Sequence, residues 1–513
     1  MNKNNNKKYN AAYDLIIRNI NKNPQKVAFI DNNSQITYNE LFIKIKAFSY
    51  SIKCKNIKEK DKVILCMNDN INYPIAFLGL IWAGITPICI NTMLPKKDYV
   101  YMIEDSEAKA IIISSNLIDQ FESIINTKIN SPLLIVEESK KYLNLNLLIN
   151  QTEGSHDNPC DSNEEDVAFW LYSSGSTGSP KGTLHIQKSM IATASTYAKN
   201  IIKINDNDIF FSAAKLFFAY GLGNALTFPM SVGATSILMS DRPTPESITN
   251  IIKKYSVSLF FGVPTLYAAL LNSKIEANDF KSLRLSVSAG EALPAHLYEK
   301  WLDLLGIKIL DGIGSTEMLH IFISNTIEET TPGASGRPVN GYEARLINDD
   351  ASIASDNEIA ELEIKGPSSA IAYWNKPEKS NLTFKGEWTK TGDKYIRSSS
   401  GIYTYCGRAD DMMKVSGQYV SPFEVEASLQ THESVLEAAV VAHKDKDNLI
   451  KPKAFIILKD NYMPGKNLEL SLNKHVKSQL TPFKYPRWYE FVKELPKTAT
   501  GKIQRFKLRD YNE

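Results

Sequence analysis

The sequence predicts an α/β protein with a large N-terminal domain of mixed and parallel sheets flanked by helices and a small α+β C-terminal domain. Apolar, β-branched runs alternate with segments of helical period through most of the chain before Arg408, as expected when helices cover both faces of largely parallel sheets. After Arg408 a short region follows with its own strand-like runs, VLEAAVVAH and KAFIILK. We therefore predict two domains, 1–409 and 410–513.

Several elements of the first domain can be predicted from local patterns. Thr37 and Glu40 form a capping-box pattern at the head of the helical segment TYNELFIKIKAF. The apolar stretch 73–90 is interrupted by prolines and glycines, which favours a buried helix followed by a strand over a membrane span. The polar, acidic stretch 150–166 is predicted to be an exposed connector. Short buried strands are predicted at 63–66, 86–90, 110–113, 133–136, 167–172, 235–238, 258–261 and 284–288.

Composition and charge exclude several classes of protein. With 43% apolar and 23% charged residues among 513, the chain has ample material for buried cores. A net charge of +2, from 59 basic and 57 acidic residues, provides no electrostatic footprint for a dedicated nucleic-acid binder. Five cysteines without paired spacing argue against a disulfide framework or a zinc site, and the N-terminus MNKNNNKKYN lacks the apolar core of a signal peptide. We expect a soluble, cytoplasmic protein.

The segment YSSGSTGSPKG, residues 172–182, follows an apolar strand and combines three glycines with hydroxyl residues and one lysine. Glycines let backbone N–H groups approach a polyanion, hydroxyls donate further hydrogen bonds, and Lys181 supplies a positive charge, so phosphate is the natural ligand. The Walker pattern is not met, because Gly175 and Gly178 are too close and a proline precedes the lysine. A flexible Gly/Ser linker is the alternative from composition alone.

Further motifs follow in a fixed order: SAGEALP at 288–294, DGIGSTEMLH at 311–320, TGD at 391–393, YTYCGRADD at 403–411 and PKTATGKIQR at 496–505. With the glycine-rich loop, they closely resemble the signatures of the adenylate-forming superfamily, which includes acyl- and aryl-CoA ligases, luciferases and the adenylation domains of peptide synthetases. The resemblance extends over nearly the whole chain. Singly, each motif residue would be interpreted as a turn residue or a surface ion pair; jointly, they favour the family.

The resemblance implies an ATP site. Thr316 would contact the nucleotide phosphate and Glu317 would help hold Mg²⁺, a hard cation that prefers carboxylate and phosphate oxygens. Ala289, Gly290 and Glu291 would line the adenine pocket, with Asp311 and Ile313 at the edge and face of the base. Asp393 would bind the ribose hydroxyls, and Arg408 would contact the ribose and phosphate region. The nucleotide-binding residues implied are Ser173, Ser174, Gly175, Ser176, Thr177, Gly178, Lys181, Ala289, Gly290, Glu291, Asp311, Gly312, Ile313, Gly314, Ser315, Asp393 and Arg408.

The same resemblance implies a mobile C-terminal domain. Lys502 matches the lysine that acts in adenylation, where an ammonium orients the α-phosphate and the attacking carboxylate and offsets their shared charge. Asp410 corresponds to the hinge about which the small domain swings after adenylation. The residues that would then face the thiol-bearing group are Ser416, Gly417, Gln418 and Tyr419.

The aromatic, glycine-broken segment from Phe210 to Met230 bears on the acid. Family members that activate amino acids have an aspartate near this place, whereas Leu216 to Gly221 contains no acidic residue, and an ammonium buried without a counter-charge would be costly. AAKLFFAYGLGN and GSTEMLHIFISN resemble benzoate-CoA ligases. The implied apolar slot is formed by Ala219, Tyr220, Phe228, Gly314, Leu319 and His320, with Tyr220 or His320 reaching the carboxylate or a ring substituent. His320 could equally be a structural histidine, and Lys215 has no evident role.

These expectations combine into an ATP-dependent aryl-CoA ligase that forms an aryl-AMP from benzoate or a substituted benzoate and passes the aryl group to coenzyme A. One alternative is an enzyme that loads the aryl group onto the phosphopantetheine arm of a carrier protein. Another is a non-catalytic nucleotide sensor, disfavoured because Thr316, Glu317, Asp393, Arg408 and Lys502 are all present. A monomer or a homodimer is compatible with the sequence, and the ring substituents stay open.

Overall fold

The structure, a computed structural model, describes residues 8–125, 132–151, 157–173, 180–415, 418–446, 449–481, 483–497 and 503–509. Of Gln418 only the backbone is described. The residues with predicted roles that lie outside the described ranges are Ser174, Gly175, Ser176, Thr177, Gly178, Ser416, Gly417 and Lys502.

An eight-stranded sheet, called the first sheet below, consists of a parallel core and an antiparallel end. Val167–Ser173 and Lys181–Ile186 form the antiparallel hairpin whose connection is the predicted phosphate loop. The hairpin joins the parallel strands because Val167–Ser173 pairs with Thr86–Cys89 in parallel. The strand order is Ala372–Tyr373, Lys181–Ile186, Val167–Ser173, Thr86–Cys89, Lys62–Cys66, Ala110–Ile113, Leu133–Val136, Leu143–Asn144.

A nine-stranded sheet, the second sheet, contains the other predicted nucleotide and acid motifs. Its six central strands run parallel, and antiparallel strands flank them on both sides. The strand order is Arg337–Pro338, Ile321–Ser324, Ile309–Gly314, Leu285–Ser288, Leu259–Gly262, Ile209–Ser212, Thr235–Ile237, Val27–Ile30, Gln35–Thr37. A third, antiparallel sheet of five strands comprises Glu343–Ile347, Ile359–Lys365, Trp388–Arg397, Phe384–Lys385 and Tyr403–Arg408.

The chain from residue 410 onward, called the C-terminal region below, has its own strands and its own core. A hairpin of Met413–Val415 and Gln418–Val420 precedes a sheet of Val435–Lys444, Ile450–Leu458 and Trp488–Phe491. The buried residues of this region form clusters that begin at Met413, whereas those of the preceding chain end at Tyr403. A separate C-terminal domain is thereby confirmed, and the predicted boundary at Asp410 stays a prediction.

Helices cover the sheets. The α-helices are Ala11–Ile20, Tyr38–Lys53, Asn72–Trp82, Lys96–Ser106, Ile118–Ile125, Leu145–Ile149, Ser189–Thr193, Ala219–Leu222, Phe228–Val232, Pro245–Tyr255, Pro264–Asn272, Ala295–Leu305, Pro377–Thr383, Pro422–Gln430, Lys466–Gln479 and Arg505–Arg509. Ser115–Leu117 and Ala277–Phe280 are 3₁₀ turns, and Ala194–Ile202 and Gly223–Thr227 are π-helical. The π-helical segment Gly223–Thr227 lies inside the predicted acid-binding segment.

The predicted helix and strands agree with the observed ones, but the connector 150–166 is less exposed than predicted. From residue 157 onward only Asn158, Asp161 and Glu165 are exposed, because the connector binds the preceding helices: Asp157 accepts from Ser49 Oγ at 2.6 Å, and the Cys160 N–H donates to the Trp82 carbonyl at 2.7 Å. Thr37 and Glu40 exchange both capping-box hydrogen bonds at the start of Tyr38–Lys53. The apolar stretch 73–90 forms the buried helix Asn72–Trp82 and the strand Thr86–Cys89, as predicted. Within the described part of the chain, no helix combines the length and the apolarity that a membrane crossing requires.

Candidate active site

The predicted phosphate, metal and acid residues converge where strands of the two large sheets end. Ser173 ends one strand of the first sheet and Lys181 begins the next. Asp311, Gly312, Ile313 and Gly314 form the last residues of Ile309–Gly314 in the second sheet, and Thr316 and Glu317 follow at once. The carboxyl ends of parallel strands are where α/β proteins place ligands.

Glu317 is the centre of the first group of contacts. Its Oε1 accepts a hydrogen bond of 2.8 Å from the Tyr373 hydroxyl and one of 3.4 Å from Ser173 Oγ. Its backbone carbonyl accepts the N–H of Ala370 at 2.7 Å. Tyr373 was not predicted from the sequence, because a tyrosine in a short edge strand looks like any other packing residue.

Lys181 lies against the same tyrosine. Its Nζ is 3.4 Å from the Tyr373 hydroxyl and 4.4 Å from the centroid of the ring. Burial lowers the pKa of the Lys181 ammonium, and the negative charge of Glu317 partly offsets this effect. The predicted phosphate-binding cation and the predicted metal-binding carboxylate therefore belong to one connected group.

His185 binds the backbone of the segment that contains Thr316. Its Nε2 is 2.9 Å from the carbonyl oxygen of Thr316, and its ring stacks on Phe169 with centroids 5.1 Å apart. The side chain is fully buried, and burial lowers the pKa of His185 to about 3, so the imidazole is neutral. The neutral ring donates to the carbonyl. His185 is the second residue that the sequence analysis missed.

The turn between Ser315 and His320 is tight. Met318 N–H donates to Ser315 Oγ at 3.2 Å, and His320 N–H donates to the Met318 carbonyl at 2.8 Å. Leu319 has φ = 65°, in the left-handed region that a leucine rarely adopts. Within four residues, this turn places Glu317 beside residues predicted to bind phosphate and His320 among residues predicted to bind the acid.

The predicted adenine residues surround a buried carboxyl group. Asp311 Oδ2 accepts the N–H of Leu293 at 3.4 Å, and burial raises the pKa of Asp311 to about 8. Ala289 is buried directly after the neighbouring strand Leu285–Ser288, and Gly290 is exposed with φ = 94°. Glu291 follows and is half-buried. The structure thus brings the two predicted adenine segments side by side.

The predicted ribose pair is formed across two antiparallel strands. Asp393 and Arg408 are register partners, and Arg408 Nη1 donates to Asp393 Oδ1 at 3.1 Å and to the Thr391 carbonyl at 2.9 Å. Gly392 has φ = 72°, and a methyl group there would lie 2.6 Å from Arg408 Nη2. Glycine is therefore required for the arginine to lie over this turn.

The predicted acid pocket is a cluster of rings around His320. The imidazole centroid lies 4.5 Å from that of Phe228, 5.3 Å from that of Tyr197 and 5.6 Å from that of Tyr220. His320 Nε2 is 3.0 Å from Asn224 Oδ1, and burial lowers the pKa of His320 to about 3. The histidine is therefore neutral and has a protein partner on one nitrogen.

Backbone approach shapes the rest of this pocket. A methyl group at Gly223 would lie 2.8 Å from His320 Nε2, and one at Gly314 would lie 2.6 Å from the His320 carbonyl oxygen. The Tyr220 hydroxyl proton is shared between two backbone carbonyl oxygens, that of Val287 at 3.1 Å and that of Gly262 at 3.3 Å. Phe228 and Leu319 are buried but belong to different hydrophobic clusters, and the half-buried Ala219 packs against the cluster that contains Leu319. Of the six predicted acid-pocket residues, Tyr220, Phe228 and Gly314 lie against His320, whereas Ala219 and Leu319 are the chain neighbours of Tyr220 and His320.

Lys215, which had no predicted role, fastens the loop before the pocket. Its Nζ donates to the backbone carbonyls of Met239, Ser240 and Asp241, the last at 2.7 Å. The neighbouring Leu216 N–H donates to both carboxylate oxygens of the buried Asp69, at 3.1 and 3.2 Å. Burial raises the pKa of Asp69 to about 6, and the positive charge of Lys215 opposes this shift.

The C-terminal region contacts the large region near the predicted hinge. Arg408 Nε lies 3.6 Å from Asp410 Oδ1, and the Tyr405 ring packs edge-on against Phe423 at 4.9 Å. The Tyr419 hydroxyl, predicted to face the thiol, donates to Asp349 Oδ2 at 2.7 Å.

The tail after Lys502 is anchored within the C-terminal region. Arg505 Nη2 lies 2.7 Å from Glu426 Oε2, and its Nε donates to Glu426 Oε1 at 3.1 Å. Arg509 donates to the Asp411 carboxylate and, at 3.2 Å, to the Asp410 carbonyl.

Comparisons with known proteins show the family of the chain. The family model described as AMP-binding enzyme matches residues 16–374, and the AMP-binding enzyme C-terminal domain matches residues 424–502. The chain is 49% identical over 506 residues to the benzoate-CoA ligase of Thauera aromatica, covering 98% of this chain and 96% of that protein. It is 43% identical over 511 residues to the 4-hydroxybenzoate-CoA/benzoate-CoA ligase of Rhodopseudomonas palustris, covering 98% and 94%. A solved benzoate CoA ligase from Burkholderia xenovorans LB400 matches with a TM-score of 0.91 at 45% identity, covering 98% of this chain and 100% of that one.

Proposed function

The chain belongs to the AMP-binding enzyme family, and from this premise we propose that it is an ATP-dependent aryl-CoA ligase acting on benzoate or a substituted benzoate. One observation carries the proposal. The segment Thr316–His320 joins a carboxylate beside the predicted phosphate loop to a neutral imidazole packed among aromatic rings. A planar apolar acid in that slot would have its carboxylate next to the nucleotide.

The pocket chemistry supports an uncharged aromatic ring. His320 is neutral, its ring neighbours are Phe228, Tyr197 and Tyr220, and the segment Leu216 to Gly221 offers no carboxylate for an ammonium. Burying a neutral polar group there without a hydrogen-bond partner would cost on the order of 2–7 kcal/mol. Burying a charged substituent without a partner would cost more. Benzoate and small neutral derivatives are therefore the favoured acids.

In the first step the carboxylate of the acid attacks the α-phosphorus of ATP, forming aryl-AMP and releasing pyrophosphate. Lys181 and the hydroxyl of Ser173 would bind phosphate oxygens, and Asp393 with Arg408 would hold the ribose. Lys502, near the α-phosphate, would offset the charge that the carboxylate and the phosphate share in the transition state. None of these groups forms a covalent bond to the substrate.

The position and chemistry of Glu317 suit a ligand of Mg²⁺. The described residues contain no group of three His, Cys, Asp or Glu side chains able to hold a metal, but Mg²⁺ in nucleotide sites is commonly bound by one or two carboxylates plus substrate phosphates. The half-buried Glu317 carboxylate lies in the group that contains Ser173 and Lys181. When bound, Mg²⁺ would neutralise charge on the phosphates of ATP.

In the second step the thiol of coenzyme A attacks the carbonyl of aryl-AMP and AMP leaves. We propose that the C-terminal region pivots at Asp410 between the steps, withdrawing Lys502 and presenting the 416–419 segment to the thiol. Its separate core supports movement as a unit. The proposal includes a cytoplasmic location, where ATP and coenzyme A are available.

Acid-dependent pyrophosphate release tests the proposal. The purified protein with Mg²⁺-ATP is given benzoate, hydroxybenzoates, aminobenzoates, cinnamate, hexanoate and acetate, each with and without coenzyme A. Turnover with aromatic acids that yields thioester only with coenzyme A supports the proposal. Pyrophosphate release without a coenzyme A thioester would indicate a carrier-protein acceptor, and ATP binding without any turnover would indicate a nucleotide sensor.

A further inference from the structure

Tyr373 connects the two groups that are proposed to handle the phosphates and their metal. Its hydroxyl donates to Glu317 Oε1 at 2.8 Å, and Lys181 Nζ lies 3.4 Å from the same hydroxyl, above the ring. Ammonium, hydroxyl and carboxylate thus form a short hydrogen-bonded chain. Ionised partners make such bonds stronger than those between neutral groups.

The fold fixes Tyr373 independently of this chain of contacts. Tyr373 is the register partner of Thr183 at the edge of the first sheet, and its N–H donates to Ser380 Oγ at 2.9 Å. Its ring packs on Phe384 with centroids 5.2 Å apart, and only 4% of the residue is exposed. The tyrosine therefore holds Glu317, and not the reverse.

The Tyr373 hydroxyl is the donor in this contact, because the carboxylate oxygen of Glu317 can only accept. Both side-chain hydrogen bonds to Glu317, from Tyr373 and Ser173, go to Oε1. Among the described residues, Oε2 accepts no hydrogen bond and is left for another ligand.

We propose that Tyr373 is a positioning residue for the metal-binding carboxylate. By binding Oε1, it fixes the rotamer of Glu317 so that Oε2 faces the ATP phosphates, and it keeps Lys181 on the same side. Groups that orient a metal ligand commonly change metal affinity by about 10–100-fold when removed. This inference rests on the proposed function, because it takes Glu317 as the ligand of Mg²⁺.

The substitution Tyr373→Phe tests the inference while keeping the ring against Phe384 and Lys181. Binding of Mn²⁺, the paramagnetic substitute for Mg²⁺, is measured by electron paramagnetic resonance with a non-hydrolysable ATP analogue. We expect about tenfold or greater weakening of Mn²⁺ binding and an equal rise in the Mg²⁺ concentration that half-saturates pyrophosphate release. Thioester formation from preformed aryl-AMP and coenzyme A needs neither ATP nor its metal, so it should stay within about twofold and also verify folding.

Two further variants make the result specific. Tyr9→Phe is the matched control, because it removes another tyrosine hydroxyl that donates to a carboxylate, that of Asp14 at 2.7 Å, away from the site. Glu317→Gln, alone and with Tyr373→Phe, forms a double-mutant cycle. If Tyr373 acts through Glu317, the double variant binds Mn²⁺ no more weakly than Glu317→Gln alone.

Wild-type Mn²⁺ affinity in Tyr373→Phe, or fully additive losses in the cycle, would overturn the inference. A loss of thioester formation from aryl-AMP together with Mn²⁺ binding would also overturn it, because it would show a general structural role. Failure of the proposed function is a separate result: the wild-type protein would then release no pyrophosphate with any acid, while the Mn²⁺-binding comparison could still be made.

Discussion

Thr316, Glu317 and His320 lie within five residues and are held by partners from the first sheet and the π-helical segment. The C-terminal region, in contrast, contacts the large region through groups close to Asp410, through Phe423 and through Tyr419. The large region and the C-terminal region also have separate hydrophobic cores. The difference indicates a division of labour in which the binding sites are preorganised and the proposed adenylation lysine is carried on a unit that can turn.

The largest expected effect tests whether the C-terminal region is an independent unit. Arg505 is buried against Glu426, so Arg505→Leu leaves that carboxylate buried without its counter-charge and should cost about 3–5 kcal/mol. Hydrogen exchange should show loss of protection in Val435–Lys444 but not in Ile309–Gly314. Arg487→Leu, which removes an arginine that stacks on Tyr485 in the same region, is the control. Equal loss of protection in both regions would show that they unfold together and would break the comparison.

The next effect separates the two half-reactions. If Lys502 acts only in adenylation, Lys502→Ala should slow acid-dependent pyrophosphate release by about 10²–10³-fold, the range for removal of one charge-stabilising group. Thioester formation from supplied aryl-AMP should stay near the wild-type rate. Lys497→Ala is the matched control, because Lys497 is paired with Glu437 at 2.7 Å within the C-terminal region. Equal slowing of both half-reactions would contradict the assignment of Lys502 to one step.

The order of the elements could be predicted because it depends on patterns that are local in the chain. The predicted strands 63–66, 110–113 and 284–288 were confirmed as Lys62–Cys66, Ala110–Ile113 and Leu285–Ser288, since buried parallel strands require continuous apolar runs. The phosphate, ribose and acid residues were predicted from the resemblance of their motifs to those of the adenylate-forming superfamily.

Residues that act through contacts distant in sequence could not be predicted in this way. Tyr373 is 56 residues from Glu317, and His185 is 131 residues from Thr316. Neither tyrosine nor histidine is unusual in a buried strand, so only the three-dimensional pairing reveals their roles. Lys215 is similar: its partners are three backbone carbonyls some 25 residues away, and a backbone carbonyl leaves no mark in the sequence.

Gly223→Ala sharpens the comparison by testing how rigid the acid pocket is. The added methyl group would lie 2.8 Å from His320 Nε2, and overpacking of this kind costs about 1–3 kcal/mol. We expect the KM for the aryl acid to rise by about tenfold and the KM for ATP to change by less than about twofold. Gly465→Ala in the C-terminal region, where no atom lies within 4 Å of the added methyl, should change neither. An unchanged KM for the acid in Gly223→Ala would mean that the pocket yields and is not preorganised.

The smallest expected effect tests whether the loss of folding stability at low pH originates in the large region. His185 is fully buried and its pKa is lowered from 6.5 to about 3, so the imidazole stays neutral in the folded protein above about pH 3. The unfolded chain takes up a proton below pH 6.5, and stability is therefore lost as the pH falls from 6.5 towards 3, at about 1.4 kcal/mol per pH unit. His185→Gln keeps a donor for the Thr316 carbonyl but cannot titrate. As the pH falls, its free energy of unfolding should therefore decrease by about 1.4 kcal/mol less per pH unit than that of the wild type.

Urea unfolding followed by tryptophan fluorescence at pH 6.5, 5.5 and 4.5 measures this slope. The fluorescence reports mainly the large region, because Trp82, Trp170, Trp301, Trp374 and Trp388 lie there and Trp488 alone lies in the C-terminal region. Identical slopes in wild type and His185→Gln would show that the buried imidazole is not what makes the preorganised region sensitive to acid, and His320, neutral for the same reason, would then be substituted next.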